Sequence, residues 1–148
     1  MSEGKEMGQE AYPQLRLENQ LCFPLYAAAR EIVSQYTPLL KPLKLTYTQY
    51  VVCLALWEHG RMTVGNLGRA LRLDCGTLTP LLKKMEEQGL VTRTRARNDE
   101  RVVEVEMTPD GWALRDRARD IPMQMGRCVK LTQEEAQTLY GLLYKLLG

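Results

Sequence analysis

With 148 residues, 45% of them hydrophobic, the chain has the material for one domain with a filled core, expected over residues 1–148. Its 20 basic and 18 acidic residues leave a formal charge of +2, which excludes nucleic-acid binding driven by net charge; any such binding has to come from local clustering. Residues 1–14 hold no apolar signal core and no run approaches the roughly 18 apolar residues a membrane helix needs, so a cytoplasmic protein without a membrane partner is expected.

Residues 1–16 read as a loose tail. Leu21, Leu25, Ala28, Ala29, Ile32, Val33 and Leu39 then recur at helical spacing, predicting a first helix over 17–39 that the Pro38 to Pro42 stretch ends. Pro24 either starts that helix or bends it, because proline suits a first turn and disrupts an interior. Thr46, Tyr47, Thr48 and Gln49 have the form of a capping box opening a helix to about His59, which Gly60 stops. A short helix follows over Thr63 to Leu71, and Asp74 is the natural N-cap of another running to about Gln88, with Gly89 as its stop.

Leu90 to Ala96 and Val102 to Met107 alternate apolar with polar residues around a polar turn at 97–101, which predicts a two-stranded ribbon. Thr108 and Pro109 start a further helix, and Thr132 to Glu135 form another capping box ahead of a stripe of Leu139, Leu142, Leu143, Leu146 and Leu147. The fold class is therefore mainly α with a small β-ribbon: a winged helix-turn-helix flanked by N- and C-terminal helices.

A helix that enters a major groove needs small, polar residues early, and Asp74 to Pro80 supply them. Thr77 and Thr79 can reach phosphates or base edges, Pro80 lies on the same stretch, and Lys83 and Lys84 one turn on can reach phosphates. Arg93, Arg95, Arg97 and Arg101 crowd the ribbon, whose tip could place an arginine in a narrow minor groove. These residues form the candidate DNA-binding set, and double-stranded operator DNA is the expected partner.

The 4 cysteines, Cys22, Cys53, Cys75 and Cys128, include no Cys-x-x-Cys, and His59 is the only histidine, so free thiols are expected and neither a metal nor a cofactor. A cysteine of ordinary pKa is only about 3% thiolate at neutral pH, and the thiolate is the species that attacks a peroxide. A helix start and tyrosine hydroxyls are the local aids that would raise its reactivity. Cys53, inside an apolar run, reads as a core residue.

The run Leu73 to Lys84, the Gly89 to Arg93 segment and the Asp99-Glu100-Arg101 turn resemble the MarR family of regulators. Leu17 to Phe23, together with Tyr36 and Tyr47, resembles its organic hydroperoxide resistance (OhrR) subgroup, and the likeness covers nearly everything from Leu17 onward. The resemblance implies a homodimer joined by residues 17–45 and 109–148, with residues 46–108 as the winged-helix DNA-binding region. It implies a repressor on a near-palindromic operator, with half-sites roughly 34–36 Å apart, Asp99 steadying the wing and Arg101 approaching the DNA. One position departs from it, since Cys75 stands where relatives commonly have serine.

The resemblance further makes Cys22 the redox-active residue and organic hydroperoxide the signal, with Tyr36 and Tyr47 donating hydrogen bonds to its thiolate. Tyr36 follows Cys22 by 14 positions, roughly 21 Å on one helix, so it cannot serve the thiol of its own helix. Antiparallel packing of two first helices would bring the pair together across a dimer. Cys128 is the candidate resolving residue for an intersubunit disulfide, a low-molecular-weight thiol being the other choice. The rival readings are a MarR-type regulator controlled by a small phenolic or apolar ligand, and a thiol peroxidase, against which stands the lack of a βαβ pattern.

Overall fold

The computed structural model describes residues 12–148, and these fall into two units, one ending at Gln35 and one running from Tyr36 to Gly148. As far as residue 11, the tail expected over 1–16 lies outside the described residues.

3-10 turns at Pro13–Leu15 and Leu17–Asn19 precede helix α1 (Cys22–Leu40), whose residues from Tyr36 onward belong to the second unit. The helix expected from residue 17 therefore begins later. Asn19 and Gln20 explain the delay: the Asn19 amide donates to the Pro13 carbonyl at 2.7 Å and the Gln20 amide to the Arg16 carbonyl at 2.7 Å. Such side-chain bonds compete with the helical ladder. Pro24 is the third residue of α1, in the first turn, where its missing N–H has no intrahelical partner to lose. It starts the helix.

Helix α1 ends at Leu40, within the Pro38 to Pro42 stretch as expected; Pro38 itself lies inside the helix, which tightens into a 3-10 turn, Lys41–Leu43. Lys44, with φ 57°, makes the break by taking the left-handed conformation. Helix α2 (Tyr47–His59) follows with both bonds of the predicted capping box: Gln49 N–H donates to Thr46 Oγ1 at 3.3 Å and Thr46 N–H to Gln49 Oε1 at 3.1 Å. Gly60, at φ 75°, ends it.

Strand β1 (Arg61–Thr63) was not predicted, and it turns the two-stranded ribbon into a three-stranded antiparallel sheet of order β1-β3-β2, with β2 at Val91–Ala96 and β3 at Asp99–Met107. Arg61 pairs with Glu106 and Thr63 with Glu104. Between β1 and β2 lie α3 (Val64–Leu71) and α4 (Cys75–Glu87), capped by Thr63 and Asp74. Beyond the sheet come α5 (Pro109–Ala118), α6 (Ile121–Cys128) and α7 (Gln133–Leu147). The interruption after Ala118 has a cause in Pro122, which cannot donate the helical bond to the Ala118 carbonyl.

The core of the second unit gathers Leu40, Val52, Leu56, Leu67, Leu78, Leu82, Met85, Val91 and Val105, all essentially sealed from solvent. Two contacts lock α5 against it. Trp57 Nε1 donates to the Gly111 carbonyl at 3.0 Å, and a Cβ on Gly111 would stand 2.3 Å from the Leu90 carbonyl oxygen, so only glycine permits that approach. Helix α7 buries no residue within the chain, leaving Leu139, Leu142, Leu146 and Leu147 exposed.

Candidate nucleic-acid interface and thiol site

The helix-turn-helix is built by close backbone approach. Gly68 of α3 faces the turn so tightly that a Cβ there would lie 2.8 Å from the Leu73 carbonyl oxygen. Arg72, at φ 55°, makes the turn, and Asp74 Oδ1 accepts the Thr77 N–H at 2.7 Å. That bond holds the Asp74 carboxyl below its ordinary pKa, because it favours the charged form.

With its start pinned, α4 divides by face. Leu78, Leu82 and Met85 are fully buried, while Cys75, Thr77, Thr79, Pro80, Lys83 and Lys84 are exposed. The outer face thus carries hydroxyls in its first turns and ammonium groups in the next, the order that a phosphate-flanked groove demands.

The four wing arginines take different places. Arg93 is committed to α4: its backbone N–H donates to Glu86 Oε2 at 2.9 Å and its Nη2 to Glu86 Oε1 at 3.2 Å, with the side chain only 24% exposed. The bonds from Arg93 hold the Glu86 carboxyl below its ordinary range. Arg95 Nη1 donates to the Glu100 carbonyl at 2.6 Å, Arg97 is exposed in the turn, and the Arg101 side chain is 93% exposed. Asp99 Oδ1 accepts the Arg101 N–H at 3.0 Å, closing the wing tip next to a bulge between Arg95 and Ala96. Between α3, α4 and the wing lies a groove of about 510 Å³, lined by Thr63, Arg69, Cys75, Thr79, Arg93 and Arg101.

Cys22 is exposed as the first residue of α1, and Cys75 as the first of α4. Cys53 is sealed in the core, and burial pushes its thiol up to about 12, which leaves it unreactive. Cys128 is the last residue of α6, exposed, with its thiol donating to the Gln124 carbonyl at 3.5 Å.

Tyr36 and Tyr47 come together, ring centroids 4.9 Å apart. A third ring, missed by the sequence reading, completes the cluster: Tyr50 is buried, with centroids 5.6 Å from Tyr36 and 6.4 Å from Tyr47. The signal for it was the spacing Tyr47-x-x-Tyr50, which places both on one helical face. Burial raises the Tyr36 phenol above its ordinary pKa, with Tyr47 adding to the effect, and burial pushes Tyr50 up to about 12, Tyr36, Tyr47 and Cys53 contributing. These two phenols stay protonated at neutral pH and so remain hydrogen-bond donors. Among the described residues, no group of His, Cys, Asp and Glu could hold a metal ion and no helix is long and apolar enough to cross a membrane.

Comparison with known proteins adds to this geometry. The MarR family profile matches residues 45–103. The chain is 49% identical over 136 residues to the organic hydroperoxide resistance transcriptional regulator of Bacillus subtilis, covering 92% of each chain. It is similar to the structure of reduced AbfR bound to DNA, with TM-score 0.76 and 35% identity over 90% of this chain and 94% of that one. It is also similar to disulfide-formed AbfR, with TM-score 0.65 and 34% identity over 97% and 99%. AbfR is a Staphylococcus epidermidis protein.

Proposed function

The chain belongs to the MarR family of transcriptional regulators, and from that premise we propose that it is a peroxide-sensing repressor, a homodimer that holds a near-palindromic operator until Cys22 is oxidised by an organic hydroperoxide. Residues 17–45 and 109–148 join the two copies, and residues 46–108 carry the DNA-binding surface. The exposed leucines of α7 support the first assignment, since a stripe of that kind is normally covered. The outer face of α4, with Thr77, Thr79, Pro80, Lys83 and Lys84, enters the major groove, and Arg95, Arg97 and Arg101 follow the backbone into the flanking minor groove. Arg93, engaged by Glu86, steadies the wing instead.

The observation that carries the redox reading is an exposed Cys22 at the start of α1 in a chain so similar to an organic hydroperoxide resistance regulator. The Cys22 thiolate attacks the distal oxygen of ROOH; the S–O bond forms, the O–O bond breaks, and RO⁻ leaves with the electron pair and takes a proton to become ROH. The Cys22 sulfenic acid then meets a second thiol, from Cys128 of the other protomer or from a low-molecular-weight thiol; the S–S bond forms and water leaves. Tyr36 and Tyr47 of the other protomer donate the hydrogen bonds that favour the thiolate. The disulfide repacks the dimer and moves the recognition helices off their spacing, a two-state change that DNA and oxidation bias in opposite directions.

The test is a titration with cumene hydroperoxide, following the affinity for a duplex selected from a randomised pool by the reduced protein. The wild type is expected to lose the duplex as Cys22 is oxidised, whereas Cys22→Ser binds as tightly and does not respond. Full release by Cys22→Ser, or unchanged affinity once mass spectrometry shows Cys22 oxidised, rejects the mechanism in favour of control by a small ligand.

A further inference from the structure

Gln49 is the buried polar side chain among the described residues, 1% exposed in a core of leucines and valines. A buried amide is tolerated only when its bonds are made. Its oxygen accepts the Thr46 N–H at 3.1 Å, and its nitrogen donates to Gln88 Oε1 at 3.1 Å, a side chain 39 positions away. Gln88 in turn donates from Nε2 to the Lys44 carbonyl at 3.5 Å. One amide pair therefore ties three joints: the left-handed Lys44 turn, the capped start of α2, and the C-terminal end of α4.

The two ends of this chain of bonds are placed for communication. Gln49 lies between Tyr47 and Tyr50 in the first turn of α2, so any shift of the tyrosine cluster moves it. Gln88 caps α4 immediately before Gly89, at φ 78°, turns the chain into β2. The Gly89 carbonyl accepts from Thr108 Oγ1 at 2.6 Å, so the recognition helix, the wing and α5 meet at that point. The other buried residues of α2 and α4, Val52, Leu56, Leu78, Leu82 and Met85 among them, are apolar or aromatic, and apolar contact is non-directional. A hydrogen bond between amides fixes direction and register.

We infer that the Gln49–Gln88 amide pair is the positioning link through which displacement of the tyrosine cluster is passed to the recognition helix and wing. The inference rests on the peroxide-sensing reading, because it concerns how release follows oxidation. Gln88→Met keeps the side-chain length and removes both donor and acceptor at an exposed position, and Gln49→Met removes the buried partner. Each reduced variant should bind the selected duplex within about twofold of wild type and be oxidised at Cys22 by cumene hydroperoxide at the wild-type rate. The ratio of oxidised to reduced Kd should fall at least about fivefold, the lower end of ordinary coupling between sites. The double variant should show no further loss, since both changes cut one link.

A wild-type ratio in folded Gln88→Met overturns the link, and so does additive loss in the double variant. Failure of reduced Gln88→Met to bind overturns it too, because the pair would then be a plain strut. Should Gln49→Met not fold, Gln88→Met decides alone. A wild-type protein whose affinity ignores Cys22 oxidation refutes the peroxide-sensing reading itself, an outcome distinct from any of these.

Discussion

Replacing Gly68 by alanine tests whether the helix-turn-helix is set by backbone approach. On propensity alone the change should stabilise α3, because alanine exceeds glycine in a helix interior by up to about 1 kcal/mol, and Gly68 has no positive φ to forbid it. The added Cβ, however, would stand 2.8 Å from the Leu73 carbonyl oxygen and 3.6 Å from Leu78 Cδ2. The first contact is with backbone, and the Leu73 N–H is itself bonded to the Gly68 carbonyl at 2.9 Å, so the turn cannot move aside cheaply. Overpacking of this kind costs about 1–3 kcal/mol, which offsets the propensity gain and leaves a net loss of up to about 2 kcal/mol. Gly65, three residues earlier on the same helix, is the control: its Cβ would meet only the Arg69 guanidinium at 3.9 Å, so Gly65→Ala should gain about 0.5–1 kcal/mol. Urea unfolding at one fixed protomer concentration should therefore separate the two variants by about 2 kcal/mol. A Gly68→Ala protein as stable as Gly65→Ala refutes the reasoning.

The wing arginines should divide by role. Arg97→Ala is expected to reduce the slope of log K against log salt by about 0.9, one phosphate contact, with no change in the urea midpoint. Arg93→Ala should lower the midpoint, since it removes the Nη2 bond to Glu86 while keeping the backbone one, and leave the salt slope alone; the opposite pattern would show that Arg93 is the residue on the DNA. On a non-reducing gel after peroxide, Cys128→Ser should lose an intersubunit crosslink that the wild type forms, and a crosslink that persists identifies another cysteine as the partner. Asp74, Glu86 and Glu135 are all held below their ordinary values, 3.8 for Asp74 and 4.5 for the two glutamates, by bonds to backbone N–H groups. A carboxyl with a lowered folded pKa contributes stability that is complete above its unfolded value and is lost as pH falls through the folded one. Stability should thus drop below about pH 4.5, and Asp74→Asn, which keeps the cap, should flatten that drop; an unchanged acid limb would exclude Asp74 from it.

Local chemistry made most of the elements legible without coordinates. Thr46, Asp74, Thr108 and Thr132 each mark a helix start because a side-chain oxygen reaches the N–H only three residues on, an interaction written within four letters of sequence. The outer face of α4 was readable for a similar reason: with Leu78, Leu82 and Met85 facing inward, helical periodicity leaves Thr77, Thr79, Lys83 and Lys84 no place but outside. What only the tertiary structure decided are pairings between distant letters. Three residues, Arg61 to Thr63, carry too little alternation to announce a strand, and become one because β3 offers its edge. Arg93 looked like its three neighbours until the wing folded beside Glu86. Tyr50 sat in an apolar run and Gln49 in a capping box, and their distant company, Tyr36 for one and Gln88 for the other, is set by how α2 packs. Caps and periodicity act over a turn of backbone, and so survive in one dimension; a through-space bond depends on the path of everything between its ends, and exists only once the chain has closed.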